Sequence, residues 1–488
     1  MNELPTGWAR AALGEATTVR KEKEDPRNLP NLPFIGLEEV EAHTGRIIST
    51  QNTSALRSAV AIFAKGDILY GRLRPYLNKV VIPDFAGAAS AEFIVFPRSK
   101  LLEPRYLQRV LMSPAFVEFT TSTSTGDRPR VSYESMSPYV FPLPPVKEQH
   151  RIVAKIDSVS AKSKRARDQL DHVPRLVEKY KEAIIAAAFR GELTSDMQGA
   201  DIACASLIAK RKSALASKMV VRPWNGRKLA DEDLPQVPNN WRWFLVGDIV
   251  IHRAGIAFQS DDFGTKGNQV VRLGNLYQGN LDLSRQPVFL KDADKYHAFF
   301  ATTGDLLVSQ TGTKYKRDYG HFVAVPEQVG NLLINQRILC LTCIQGIDPK
   351  FLLFYSRTRL FREYFFSKET GGVNQGNVGV SGIMDAPIPL PPFSEQAEIV
   401  RRIEKAFTWI DGLASETTSA RKLIDHLDQA VLAKAFRGEL VPQDPEDEPA
   451  SVLLERIRAE RSAERANVKR GQKIQTRRAP ARQTALSE

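Results

Sequence analysis

LPPVKEQHRIVAKIDSVSAKSKRARDQLDHVPRLVEKYKEAIIAAAFRGEL, residues 143–193, returns at 390–440 as LPPFSEQAEIVRRIEKAFTWIDGLASETTSARKLIDHLDQAVLAKAFRGEL, displaced by 247 residues with no gap. Identity sits at the two flanks: LPP, EQ, IV and a shared Ile at the start, AFRGEL at the end. Between them a pattern is kept rather than letters. In the first copy, steps of four and three visit Ile152, Ile156, Val159, Ser163, Ala166, Leu170, Val173, Val177, Tyr180, Ile184 and Ala187, of which only Ser163 is polar. The second copy holds Ile399, Ile403, Ala406, Ile410, Leu413, Thr417, Ala420, Ile424, Leu427, Val431 and Lys434 in those slots. A 3.5-residue apolar repeat of this length asks for a partner helix along a narrow seam, and an ordinary surface helix would show a wider stripe. The natural partner for each copy is the other. Pro174 should kink the first helix, because it removes a backbone hydrogen bond, and Gly412 weakens the second. Both copies follow Pro-Pro and end in Arg-Gly, a start and a stop that suit helices.

The rest of the chain repeats as well. Pro5, Trp8 and Gly14 match Pro238, Trp241 and Gly247; Gly66-Asp-Ile-Leu matches Gly304-Asp-Leu-Leu; Glu103-Pro-Arg-Tyr-Leu matches Asp348-Pro-Lys-Phe-Leu. The offset drifts from 233 to 238 to 245 before it settles at 247, so insertions fell inside the blocks and spared the helix. The expected organisation is a first globular block over 1–142, a long helix over 143–194, and a linker with a short helix over 195–236. A second block follows over 237–389, a second long helix over 390–441, and a short helix with a basic tail over 442–488. Within the first block, PFIGL, AVAIFA, GDILYGRL, KVVIP and AEFIVF read as strands and 101–120 as helix. Connections this short exclude repeated crossover helices. The fold class is therefore α+β: two homologous mixed α/β globular domains joined by two long helices in an antiparallel coiled coil with pseudo-twofold symmetry.

Composition narrows the function classes. At 488 residues, 42% hydrophobic and 25% charged, the chain is ordinary for a globular protein. The absence of a long apolar run and of a signal core implies a cytoplasmic location and no membrane. The three cysteines, an odd number, argue against a disulfide framework; Cys340 and Cys343 form a CxxC inside RILCLTCI, an apolar run that reads as a buried strand rather than a metal site. Net charge is +12, which suggests a polyanion partner, and residues 456–488 supply +7 of it through ten Lys/Arg against three Glu, compatible with a solvated, disordered extension or with loose phosphate contact.

No catalytic set stands out. There is no [Asn/Asp]-Pro-Pro-[Tyr/Phe], and Thr311-Gly-Thr-Lys314 lacks the upstream glycine of a phosphate loop. What remains are basic, aromatic and amide clusters. The first block carries Arg72, Arg74, Tyr76, Lys79, Arg128 and Arg130; the second carries Lys314, Tyr315, Lys316, Arg317, Asn374, Gln375 and Asn377. Arg and Lys hold phosphates or the guanine edge, and Asn and Gln pair with adenine, so these are candidate DNA contacts. The first helix adds Lys155, Lys162, Lys164, Arg165 and Arg167, either a solvated face or a phosphate-facing strip.

With these residues in view, the chain resembles the specificity subunit of a type I restriction–modification system. The doubled LPP…EQ…IV…I and AFRGEL carry the resemblance, joined by the tail segment 441–457. It implies a non-catalytic subunit that reads a bipartite target in double-stranded DNA, one half per domain, with the spacer set by the coiled coil. It also implies partners: two methyltransferase subunits and restriction/translocase subunits, which would hold AdoMet, ATP and Mg²⁺, while this chain binds no cofactor or metal. From position alone, Glu148, Gln149, Phe189 and Arg190 in the first copy, with Glu395, Gln396, Phe436 and Arg437 in the second, are candidate docking residues at the helix flanks. The alternatives are a coiled-coil protein-interaction scaffold without DNA specificity, or the targeting half of a split restriction–methylation enzyme. The start at Met1-Asn-Glu-Leu-Pro, directly in the first block, is expected to disfavour the latter.

Overall fold

The computed structural model describes residues 3–99, 102–124, 127–197, 204–217, 224, 234–277 and 279–459. The basic tail from 460 onward and most of the 218–233 linker lie outside these residues. Two compact units result, Met1–Leu170 with Ser419–Glu488 and Asp171–Thr418. The division cuts through both long helices, so each unit pairs a globular domain with the near half of its own helix and the far half of the other.

In the first unit, helix Val146–Leu170 lies against the end of helix Phe393–Arg437. Ser163 Oγ donates to Asp428 at 2.7 Å, and Arg167 reaches Asp425 at 2.8 Å and Asp428 at 2.7 Å. Partner numbers fall as the first helix rises, so the pairing is antiparallel. The one polar seam residue of the first copy is thus buried and satisfied by an acid on the other helix. In the second unit, Lys181 reaches Asp411 at 2.6 Å and the Leu193 carbonyl accepts from Arg402, which gives the same antiparallel sense.

The heptad seam is buried at its ends (Ile152, Ile156, Ile399, Ile403) but Tyr180, Leu413 and Leu427 on it are exposed. Pro174 does more than kink the first helix. The helix stops at Leu170 and a new one, Val173–Ala188, begins with Pro174 in its first turn, where the missing amide costs nothing. Helix Phe393–Arg437 runs unbroken for 45 residues through Gly412, around which a side chain would meet open space.

Each domain opens with a strand paired to the strand that leads into its long helix: Ala9–Ala12 with Val140–Leu143, and Arg242–Leu245 with Pro387–Leu390. The strand of the Gly-Asp motif, Ile68–Gly71 or Leu306–Ser309, is central in both. It lies between Val80–Val81 and Phe93–Phe96 in the first domain, and between Phe322–Ala324 and Ile338–Cys343 in the second. Period-two alternation decides its packing. Leu69 faces one apolar cluster while Ile68 and Tyr70 face another; Leu307 and the pair Leu306 and Val308 divide in the same way. Cys340 and Cys343 lie in the strand Ile338–Cys343, and burial pushes both thiols up to about 12.

The expected helix over 101–120 is two helices, Pro104–Leu111 and Pro114–Ser122, because Ser113 caps the second through the Phe116 amide at 3.3 Å. Residues 450–459 are helical and bury Leu453, Leu454 and Ile457 in the core of the first unit. Among the described residues no helix is long and apolar enough to cross a membrane.

Candidate nucleic-acid interface

The loop that leaves each Gly-Asp strand meets a second segment far along the chain. In the first domain the Val131 amide donates to the Arg72 carbonyl at 3.0 Å and Leu73 bridges Arg130. In the second, the Val378 amide donates to the Gln310 carbonyl at 2.8 Å and Thr311–Thr313 pairs with Gln375–Asn377. The structure therefore joins 72–76 to 127–130, and 314–317 to 374–377, in equivalent places. The clusters that stand apart along the sequence form one face in each domain.

The strands that carry these loops are held at their opposite ends by buried charge. Asp67 accepts from Arg20 Nε at 2.7 Å, and Asp305 accepts from Arg253 Nη2 at 2.5 Å. Both aspartates are almost fully buried, and further donors complete them: the Ala64 and Arg98 amides on Asp67, Thr302 and Thr342 on Asp305. Sequence reading treated Gly-Asp as a repeat marker and missed the two arginines, which keep the 233-residue offset of the domain starts.

At the tips, left-handed backbone turns the loops outward: Arg74 has φ 52° and Asn78 φ 48° in the first domain, Tyr315 φ 71° and Arg317 φ 52° in the second. Arg74, Tyr76 and Arg128 are exposed, as are Tyr315, Lys316, Arg317, Asn374 and Gln375. Tyr315 is 81% exposed and the neighbouring Val373 84%, an apolar surface that the domain's own core does not use. The Arg317 guanidinium lies 5.2 Å from the Phe366 ring centre. Arg362, absent from the sequence reading, holds the loop from below by donating to the carbonyls of Tyr319 and Arg317 at 2.7 Å each. Burial and the nearby Arg317 charge lower its guanidinium to about 10. Tyr319 adds a second anchor, its hydroxyl donating to Glu369 at 2.6 Å.

Other candidates are tied to partners within the domain, Arg130 while still exposed. Lys79 donates to the Leu37 carbonyl at 2.7 Å, Arg130 is held by Glu92 at 2.7 Å, and Asn377 accepts from Thr311 at 3.1 Å. Arg72 is half-buried with its Nε unpartnered, and Lys314 is half-buried with its Nζ 3.3 Å from the Gly371 carbonyl.

The helix flanks need a correction. Glu148, Gln149, Glu395 and Gln396 are buried, so they present no side chain at a surface. Glu148 accepts the Trp8 indole N–H at 2.9 Å; Glu395 accepts that of Trp241 at 3.0 Å, with Thr194 at 2.7 Å and Asn240 at 2.8 Å. Gln149 and Gln396 each accept, at 2.9 Å, the amide of the residue that caps the following domain helix, Glu103 or Asp348. The EQ dipeptide is an internal brace between domain and helix. Phe189 is buried against Phe351, 4.8 Å between ring centres, whereas Phe436 is half-buried beside Tyr106. Arg190 and Arg437 are exposed, each tied to the glutamate two residues on. Phe436 lines an apolar pocket of about 350 Å³ with Tyr139, Phe141 and Leu432; Phe189 and Arg190 line a smaller one of about 140 Å³ with Trp243 and Tyr355.

Comparison with known proteins agrees on one family. The sequence profile described as "Type I restriction modification DNA specificity domain" matches twice, over 5–172 and 238–416. The chain is 24% identical over 480 residues to the type I restriction enzyme EcoDI specificity subunit of Escherichia coli, covering 94% of this chain and 97% of that one. It is 26% identical over 357 residues to the EcoBI specificity subunit of the same species, covering 70% and 69%. Among solved structures, the HsdS subunit from Thermoanaerobacter tengcongensis superposes with a TM-score of 0.60 at 21% identity, covering 90% of this chain and 99% of that one.

Proposed function

The chain belongs to the type I restriction–modification DNA specificity family, and from that premise we propose that each unit reads one half of a two-part DNA target through its joined loops. As a specificity subunit it supplies sequence recognition and no catalysis of its own. The observation that carries the reading of the loops is their doubled meeting, at Arg72–Val131 and at Gln310–Val378, which gives both domains the same outward mount. Arg74, Tyr76 and Arg128 would face one half-site; Tyr315, Lys316, Arg317, Asn374 and Gln375 would face the other. Arginine and amide side chains on such a mount suit the major-groove edges of guanine and adenine, and the aromatic rings suit thymine methyl groups.

The partners would be two methyltransferase subunits and the restriction/translocase subunits. AdoMet, ATP and Mg²⁺ would be held by those partners, in the cytoplasm. For methyltransferase docking we favour the surroundings of Phe436 and Arg437, and of Phe189 and Arg190, over the buried EQ pairs. The helix pairs would set the number of unread base pairs. Four residues inserted after Leu170 and four after Thr418 would add ~6 Å of helix, or roughly two base pairs of spacer.

Expression with the methyltransferase encoded beside it, followed by genome-wide mapping of methylated adenines, tests the reading. A motif of two specified parts separated by a fixed unspecified gap is expected. A single uninterrupted motif, or no methylation that depends on this chain, would contradict it.

A further inference from the structure

Gly66 and Asp67 lie at the far end of the strand Ile68–Gly71 from the reading loop. There the first domain and its own long helix enclose a polar cleft of about 620 Å³, lined by Lys65, Arg98, Arg105 and Arg109 together with Asp84 and Asp157. Asp157 is shared, receiving Arg105 at 2.6 Å and Arg109 at 3.2 Å. Lys65 and Arg98 are exposed and have no ion-pair partner among the described residues. The Nε of Arg109 is buried without an acceptor.

The second unit shows what this place needs for folding alone. Lys350 and Glu404, 2.6 Å apart, stand where Arg105 and Asp157 stand, so the salt bridge between domain and helix is kept. Where the first unit has Arg109 and Ser160, the second has Phe354 and Phe407, packed edge to face at 5.8 Å. The same joint can therefore be closed with two rings, over which Arg357 and the Asp411-paired Lys181 lie at 5.8 and 5.3 Å from the ring centres. The first unit instead keeps four cations around two carboxylates, one carboxylate already spent, and leaves a donor without an acceptor.

We propose that this cleft is a binding site for a phosphate group, without a counterpart at the equivalent place among the described residues of the second unit. Guanidinium and ammonium groups converging from the strand end and the helix supply the charge and the donors such a group requires. The phosphate could belong to the DNA backbone outside the bases being read, or to a free phosphate compound. The first source rests on the DNA reading above and the second does not.

The test uses the full chain as wild type, as K65Q/R98Q and as R109F, the last imitating the second unit. Binding of inorganic phosphate is measured by calorimetry, and binding of duplex DNA carrying the mapped target is measured across salt concentrations. If the source is DNA, the slope of log affinity against log salt falls by about 0.9 for each phosphate lost, with the preference for target over non-target DNA unchanged. If the source is a free compound, the variants lose phosphate binding while the DNA slope stays. A wild-type slope and wild-type phosphate behaviour in both variants would overturn the proposal. Equal thermal midpoints for wild type and R109F establish that the fold is retained. Loss of target preference in the wild type would count against the reading loops, not against the cleft.

Discussion

In the first unit the Trp8 indole donates to Glu148 at 2.9 Å, and Gln149 accepts the Glu103 amide at 2.9 Å. In the second unit Trp241 donates to Glu395 at 3.0 Å, and Gln396 accepts the Asp348 amide at 2.9 Å. The Arg-Gly helix ends agree as closely. Gly438 and Gly191 have φ near +75° and +79°, and a side chain on either would lie 2.3 Å from the proline, Pro5 or Pro238, that opens a domain. At the loops that leave the Gly-Asp strands the agreement ends. The loop after the first Gly-Asp strand presents Arg74 and Tyr76 and is stitched by Glu92 to Arg130; the loop after the second presents Tyr315 to Arg317 and is stitched by Arg362 and Glu369. The difference separates a mount that must be reproduced from a surface that is free to vary. The Trp, Glu and Gln residues that brace domain to helix have little room to change, because each one satisfies a buried partner. The exposed side chains at the tip satisfy no buried polar partner.

Substitutions can break that comparison, and the largest effects belong to the mount. Asp305→Ala leaves Arg253 buried without its charge partner and should cost about 3–5 kcal/mol of the second unit's stability, read by denaturant unfolding. Asp67→Ala should cost less, about 1–3 kcal/mol, because Arg20 is 30% exposed and regains water. Equal costs would mean that burial of the arginine is not what distinguishes the two.

Tip substitutions should leave stability alone and change reading. Arg317→Ala or Tyr315→Ala should reduce discrimination in one half-site by about 1–3 kcal/mol, measured by competition binding against single-base variants of the target. Arg362→Ala should act in the same half-site through loss of the loop's two carbonyl anchors. A fall in thermal midpoint without loss of discrimination would instead make Arg362 purely structural.

The smallest effect is a pH dependence. Burial pushes the Glu148 carboxyl above its usual value of 4.5, against the opposing hydrogen bonds from Trp8 and Gln443. A carboxyl raised in the folded state favours folding while protonated. Its contribution is therefore full below about pH 4.5 and is lost as pH rises through the folded value. Glu148→Gln should flatten that part of the first unit's stability profile. An unchanged profile would mean that the brace holds Glu148 ionised throughout.

Much of the mount was legible because it is periodic or local. The seam from Ile152 to Ile184, the Arg-Gly stops and the strand around Ile68 all follow from spacing. Pro174 announced a kink; that the helix stops there and a new one begins follows only from the structure. What escaped was long-range pairing. Nothing in the letters ties Trp8 to Glu148, 140 residues away, or Arg20 to Asp67, and so the EQ pairs looked like surface anchors when they are interior braces. The same blindness hid the ties around the tips: Lys79 donates to the Leu37 carbonyl and the exposed Arg130 pairs with Glu92, while Arg362 sits on a helix with no motif to mark it.

The central claim is that each joined pair of loops reads one half-site alone. Mapping methylated adenines after expression with the methyltransferase, for wild type, Arg74→Ala and Arg317→Ala, tests it most directly. The account predicts that Arg74→Ala relaxes one specified part of the motif, Arg317→Ala relaxes the other, and the gap between the parts keeps its length. Relaxation of both parts by either substitution, or of the same part by both, would contradict it.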